Sequence, residues 1–111
     1  MVTEGSYWNI SAAQLHSMLQ QKDFLFINVH IPYQGEIAGT DLFIPFNEVE
    51  QNQSKLPTDK GAKIVVYCRS GGMSAISAEV LVELGYTNVW NLKGGMMVWQ
   101  IDGYPLINNP K

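Results

Sequence analysis

Charge and cysteine are what this chain has little of. Only 15% of its 111 residues are charged, and the net charge is −3. No basic stripe runs along any segment, so composition offers no electrostatic case for nucleic acid. The apolar runs are all too short for a helix that crosses a bilayer, so no membrane partner is expected. Met1 to Asn9 has neither a basic start nor an apolar centre, and it does not read as a signal peptide. A cytoplasmic location is the expectation. One cysteine, Cys68, cannot form an internal disulfide, which fits a reducing compartment. The two histidines, His16 and His30, have no metal-ligand spacing with Cys68. No metal is assigned.

Apolar residues are plentiful. They make up 46% of the chain, which excludes a disordered polymer, and the length suits one domain over residues 1–111. Trp8 to Ile10 reads as a short edge strand. Ser11 reads as the N-cap of a helix that carries Leu15, Met18 and Leu19 on one face and closes at Lys22-Asp23. Phe24 to Val29 is a nearly unbroken apolar run, as in a strand covered on both faces. Asp41 to Pro45 reads as a short strand. Asn47, with Glu50 three residues on, has the pattern of a capped helix. Pro57 and Gly61 bracket the loop into a strand at Ile64 to Tyr67. A helix from Ala75 to Leu84 places Ile76, Val80, Leu81 and Leu84 at core spacing and stops at Gly85. A strand over Asn88 to Leu92 and a helix over Gly95 to Gln100 complete the order. Strands alternating with helices imply an α/β domain with a mainly parallel sheet, and such sheets bind ligands beyond the carboxyl ends of their strands. Cys68 and Asn28 to His30 fall at that edge.

By residue type, a lone cysteine beside a hydrophobic run is most often an inert core residue. The flanking sequence argues otherwise. After Cys68 come Arg69, Ser70, Gly71, Gly72, Met73 and Ser74, then the helix. Adjacent glycines let the backbone curl with its amides inward and let a ligand approach. Backbone N–H groups and a helix N-terminus favour an anion at sulfur, so a thiolate nucleophile is expected there.

At these residues the chain resembles the rhodanese family of sulfurtransferases. Cys68-Arg69-Ser70-Gly71 matches the start of that family's active-site loop, and Ser74 fits its end. Asn91-Leu92-Lys93-Gly94-Gly95-Met96-Met97-Val98-Trp99, then Gly103-Tyr104-Pro105, resembles its closing signature. Gly35-Glu36-Ile37-Ala38-Gly39-Thr40, then Ile44-Pro45, resembles its Gly-His-Ile-x-Gly-Ala segment and the Ile-Pro after it. Asn28-Val29-His30 stands in the place of an Asp-Val-Arg triplet. The pieces occur in the expected order from about Ile10 to Pro105. The resemblance implies a three-layer α/β domain with about five strands and helices on both faces. It implies a Cys68 persulfide that carries sulfur from a small anionic donor such as thiosulfate to a thiol or cyanide. A protein sulfur acceptor or a thiol reductant is a further implied partner. No cofactor is needed.

The departures leave alternatives open. Arg69 either steers an anionic donor or is a solvated charge. Met73 replaces an arginine common in small rhodaneses; it either lines an apolar mouth or packs on the following helix. Asn28 and His30 share a strand face by spacing; His30 is either a proton carrier or a hydrogen-bonded structural residue. Glu36 is expected to be solvated and without a role, and Trp99, with Gly94 and Gly95, to pack the last helix on the sheet. A phosphatase or arsenate reductase would need an arginine where Ser74 stands, to grip the oxyanion bidentately, which argues against that chemistry. A non-catalytic binding or sensing module is the other alternative.

Overall fold

The computed structural model describes residues 6–108, so both ends of the expected 1–111 domain lie outside the described residues. Five strands form one sheet in the order β1-β5-β4-β2-β3, and every pair is parallel. They are β1 (Trp8–Ile10), β2 (Leu25–Asn28), β3 (Leu42–Phe43), β4 (Ile64–Tyr67) and β5 (Val89–Leu92). Parallel neighbours need crossovers, and three helices supply most of the cover: α1 (Ala12–Leu19), α2 (Gly72–Glu83) and α3 (Gly95–Ile101). This is the expected α/β architecture with helices on both faces.

The central strand sorts its side chains by alternation. Val65 and Tyr67 pack with Leu15 of α1 and with Met96 and Trp99 of α3. Ile64, Val66 and Cys68 pack on the opposite face with Ala78 and Leu81 of α2. All four residues of β4 are buried, which is why the segment reads as one apolar run rather than an alternating one. The side chain of Cys68 therefore belongs to the α2 face, although the residue itself follows the strand.

Local signals place most element ends. Ser11 Oγ accepts the Gln14 N–H at 3.1 Å, and Gln14 Oε1 accepts the Ser11 N–H at 2.8 Å, a complete capping box. Gly85 ends α2 at φ +101°, with Gly85 N–H donating to Val82 O and Tyr86 N–H to Leu81 O. That pair of bonds is a Schellman closure.

Four expectations need correction. Asn47 caps no helix: the segment is a 3-10 helix over Glu50–Lys55, flanked by Val49 without a side-chain cap and kinked at Asn52. Between Val49 and Leu56 the chain offers no apolar face to bury, and the Asn52 and Gln53 side chains bond the carbonyls of Glu48 and Glu50. Helix α2 begins at Gly72, not Ala75, because Gly71 in the left-handed region turns the chain directly into it. Its buried residues are Ser74, Ser77, Ala78 and Leu81, while Ile76 is 49% exposed. Small side chains let the helix lie close on the sheet, and the buried Ser77 hydroxyl is satisfied by Phe46 O. The strand expected over Asp41 to Pro45 shrinks to two residues, as Asp41 instead turns its carboxylate onto the Phe26 N–H at 2.8 Å.

Candidate functional site

Cys68 ends at the carboxyl edge of the sheet with only 1% of its surface exposed. Its Sγ accepts two hydrogen bonds, from the Gly71 N–H at 2.9 Å and from the Ser74 hydroxyl at 3.4 Å. Gly71 can reach back over the sulfur because it lies at φ +104°, a conformation only glycine adopts freely. Ser74 sits in the first turn of α2, fully buried, and its hydroxyl faces both the sulfur and Gly71 O. The first bond within α2 runs from Ala75 N–H to Gly71 O, so the amides of Gly72, Met73 and Ser74 have no carbonyl of their own helix. The expected fan of amides over the free thiol is thus narrower than the sequence suggests. One amide and one hydroxyl touch the sulfur, and further amides stand at the helix start beside it.

Arg69 and Ser70 are exposed on the rim, as is Gly72, which has open space around its Cα. Arg69 makes no ion pair among the described residues. Met73 is half-buried and packs against the α2-face cluster that includes Cys68. The structure thus gives the packing alternative for Met73 its contact, with part of the side chain left at the surface.

The neighbouring strand β2 sends a second loop off the same edge. It ends at Asn28, so His30 lies beyond the strand and the expected shared strand face does not extend to it. Asn28 is 1% exposed, and its amide clamps the loop: Nδ2 donates to Gly35 O at 3.2 Å, and Oδ1 accepts the His30 N–H at 3.0 Å. His30 Nε2 meets Gln34 Oε1 at 3.0 Å, while its Nδ1 is buried without a partner among the described residues. A carboxylate oxygen at Gln34 would place charge there; the amide does not.

Glu36 corrects a further expectation. It is 6% exposed, not solvated. Its Oε1 accepts the Tyr33 hydroxyl at 2.7 Å, and its backbone exchanges two 2.8 Å hydrogen bonds with Ile107. A long carboxylate side chain can be buried where a phenol supplies a donor. Below it, Tyr67 Oη accepts the Ile37 N–H at 3.0 Å and lies 2.7 Å from Thr40 Oγ1. The single Thr40 proton goes to Ile37 O, so the phenol donates to Thr40. Burial pushes the Tyr67 hydroxyl up to about 12.

The residues missed by sequence reasoning are Gly94 and Gly95. They were expected only to pack the last helix. In the fold they lie against the Cys68 loop: Met96 N–H donates to Cys68 O and Met97 N–H to Arg69 O, both at 2.9 Å. A Cβ on Gly95 would lie 2.6 Å from Arg69 O and closer still to Cys68 O. Two adjacent glycines at a strand-to-helix junction were the available signal. What they approach lies far away in sequence, so only the fold names it.

The comparisons agree with this fold. The sequence profile of the rhodanese-like domain matches residues 11–102. A sulfurtransferase of Allochromatium vinosum is 33% identical over 89 residues, covering 78% of this chain and 80% of that one. The thiosulfate sulfurtransferase PspE of Escherichia coli is 37% identical over 71 residues, 62% of this chain and 68% of that protein. A rhodanese-related protein of Thermoplasma volcanium superposes with a TM-score of 0.77 at 31% identity, covering 91% of this chain and 98% of the other. With its profile match, its parallel sheet and a cysteine loop at the sheet's carboxyl edge, this chain belongs to the rhodanese-like domain family.

Proposed function

We propose that this chain is a sulfurtransferase that moves sulfane sulfur from thiosulfate or a persulfide donor to a thiol or cyanide through a Cys68 persulfide. The observation that carries the reading is the sulfur of Cys68 held by the Gly71 amide and the Ser74 hydroxyl at the start of α2. Relatives named sulfurtransferase support a rhodanese-type enzyme.

The Cys68 thiolate attacks the outer sulfur of thiosulfate. A new S–S bond forms, the old one breaks, and sulfite leaves with the electron pair. The persulfide then carries the negative charge on its terminal sulfur. An acceptor thiolate attacks that sulfur and Cys68 leaves as thiolate, which closes the cycle. Two half-reactions through a covalent intermediate give ping-pong kinetics. Donors aimed where the charge resides before and after transfer need no reorganisation during it. Exposed Arg69 attracts the donor at long range, an effect that weakens with salt. This sequence holds no second cysteine, so the acceptor, a thiol or cyanide, is not supplied by it.

A second reading, a non-catalytic binding module, draws on the near-complete burial of Cys68. One experiment separates the two. Intact-protein mass spectrometry after incubation with thiosulfate should show one added sulfur atom, and dithiothreitol should remove it. No adduct with thiosulfate, mercaptopyruvate or a persulfide donor supports the binding module. The phosphatase alternative lacks its gripping cation, since Ser74 is buried against the sulfur where that chemistry needs a guanidinium.

A further inference from the structure

We infer that the rim of the Cys68 site on its α2 side is an apolar seat for the body of an organic thiol. The sulfur partner of this chain is then a thiol with an apolar body, as acceptor, or the persulfide of such a thiol, as donor. This rests on the reading of Cys68 as the sulfur carrier. The starting point is a misfit in α2. Ile76 stands at a spacing that nominates a core residue, yet it is 49% exposed. One exposed apolar side chain is ordinary; a contiguous group of them beside a nucleophile is not.

Met73, Ile76, Ser77 and Val80 recur at helical spacing along one side of α2. That side meets the chain beyond β3, where Phe46 O accepts the Ser77 hydroxyl at 3.3 Å. Phe46 stands close to the level of the sulfur. Its N–H donates to Val29 O at 3.0 Å, and Val29 follows Asn28 as Cys68 follows Tyr67, the two strand ends being in register. Phe46, Met73 and Val80 all pack on the buried cluster that holds Cys68, and each keeps part of its surface exposed. Ile76 extends this apolar surface outward, one turn along α2 from Met73.

Cys68 is 1% exposed, so only the reacting sulfur of a partner reaches it and the rest of that molecule lies on the rim. Helix α2 brings no cation to that rim: its first charged residue is Glu79, an exposed acid. A dianion seated there would lose water and gain no counter-charge. An apolar body would instead cover Ile76 and the outer parts of Met73 and Phe46. Each methylene group withdrawn from water is worth about fourfold in affinity. In the transfer itself the acceptor thiolate bonds to the terminal sulfur of the persulfide. The S–S bond to Cys68 breaks, Cys68 leaves with its electron pair, and the acceptor departs as a persulfide. The seat acts on the body of the acceptor and leaves that chemistry unchanged, so Met73 and Ile76 are specificity-determining residues.

Two measurements test the seat. In the first, the Cys68 persulfide is formed from thiosulfate or a persulfide donor and discharged by benzyl mercaptan or by 2-mercaptoethanol, thiols of similar acidity. Wild type should favour benzyl mercaptan by about fourfold or more. Ile76→Gln should remove most of that preference by slowing the benzyl thiol alone. Ile101→Gln removes a 76% exposed isoleucine from α3, on the opposite face of the sheet, and should leave the preference as it is. In the second, the free thiol is alkylated with N-benzyl iodoacetamide and with iodoacetamide, each rate taken relative to glutathione, a reaction that needs no sulfur transfer. The same preference should appear and the same variant should lose it. Equal relative rates for the two alkylating reagents in wild type overturn the seat even if Ile76→Gln fails to fold. A folded Ile76→Gln with wild-type ratios overturns it too. A benzyl preference in alkylation, with no persulfide from any donor, supports the seat and refutes the sulfurtransferase reading.

Discussion

Two loops leave the same edge of the sheet from adjacent strands, and they are held by opposite means. The loop after β4 is held by backbone. Its amide of Gly71 reaches the sulfur, and two of its carbonyls take amides of α3. The loop after β2 is held by side chains: Asn28 on Gly35 and His30, Tyr33 on Glu36, Tyr67 and Thr40 on Ile37. A backbone-held loop keeps its N–H groups for a ligand and is intolerant of an added Cβ where the backbones meet, at Gly71 and at Gly95 beneath it. A side-chain-held loop can exchange one hydrogen-bonding set for another. That difference explains how Asn28 and His30 can depart from the family triplet while Cys68, Gly71 and Ser74 match its loop.

The comparison is broken most sharply at Cys68. Cys68→Ser should reduce sulfur transfer to background, since a hydroxyl is a poor nucleophile and no general base among the described residues touches it. Because backbone holds the loop, the melting temperature should stay within a few degrees of wild type. A large drop in melting temperature would show that the thiol itself holds the loop.

The β2 loop should yield first to alkali. Tyr67 is raised by burial from 10.0 to about 12, so the unfolded chain loses this proton near pH 10 and the folded chain only near 12. The stability from neutral Tyr67 is complete below pH 10 and is lost as pH rises toward 12, about 2–3 kcal/mol in all. Urea unfolding at stepped pH measures it, with Tyr67→Phe as the control whose alkaline decline should be shallower. Parallel declines in the two proteins would remove Tyr67 as the cause.

Asn28→Ala tests the same loop at neutral pH. It leaves Gly35 O and the His30 N–H without their partner in a buried site, at a cost of about 1–3 kcal/mol. Denaturant midpoints should fall while persulfide formation by the folded protein persists. Loss of transfer in folded Asn28→Ala would mean that the two loops are coupled.

The smallest effect is expected at Met73. An arginine stem can cover the same apolar surface while its head reaches water at the loop mouth. Met73→Arg should raise kcat/KM for thiosulfate a few-fold at low salt, on the order of 1 kcal/mol, and the gain should shrink with added salt. No gain in a folded protein would show that the mouth is insensitive to added charge.

Much of the frame was legible because its signals are local. The apolar run at Ile64 to Tyr67, the Ser11 cap and the Gly85 stop each concern a few neighbouring residues, and the chain's own stereochemistry enforces them. Asn47 misled because its capping pattern is also local, but no apolar face follows it to be buried. Helix α2 misled at Ile76, since the spacing that nominates a core residue fits Ser74 and Ser77 equally well.

The sequence by itself determined that this is an α/β chain with a cysteine at a strand end before a glycine-bearing loop, for strand, turn and cap preferences act within a few residues. The tertiary structure alone decided what meets that loop. It brought Gly95 under the Cys68 and Arg69 carbonyls, buried Glu36 against Tyr33, and placed the sulfur on the α2 face while α3 draws the carbonyls to the other. Those contacts join segments far apart in the chain. Their cost and gain depend on burial and orientation, which no single stretch of sequence carries.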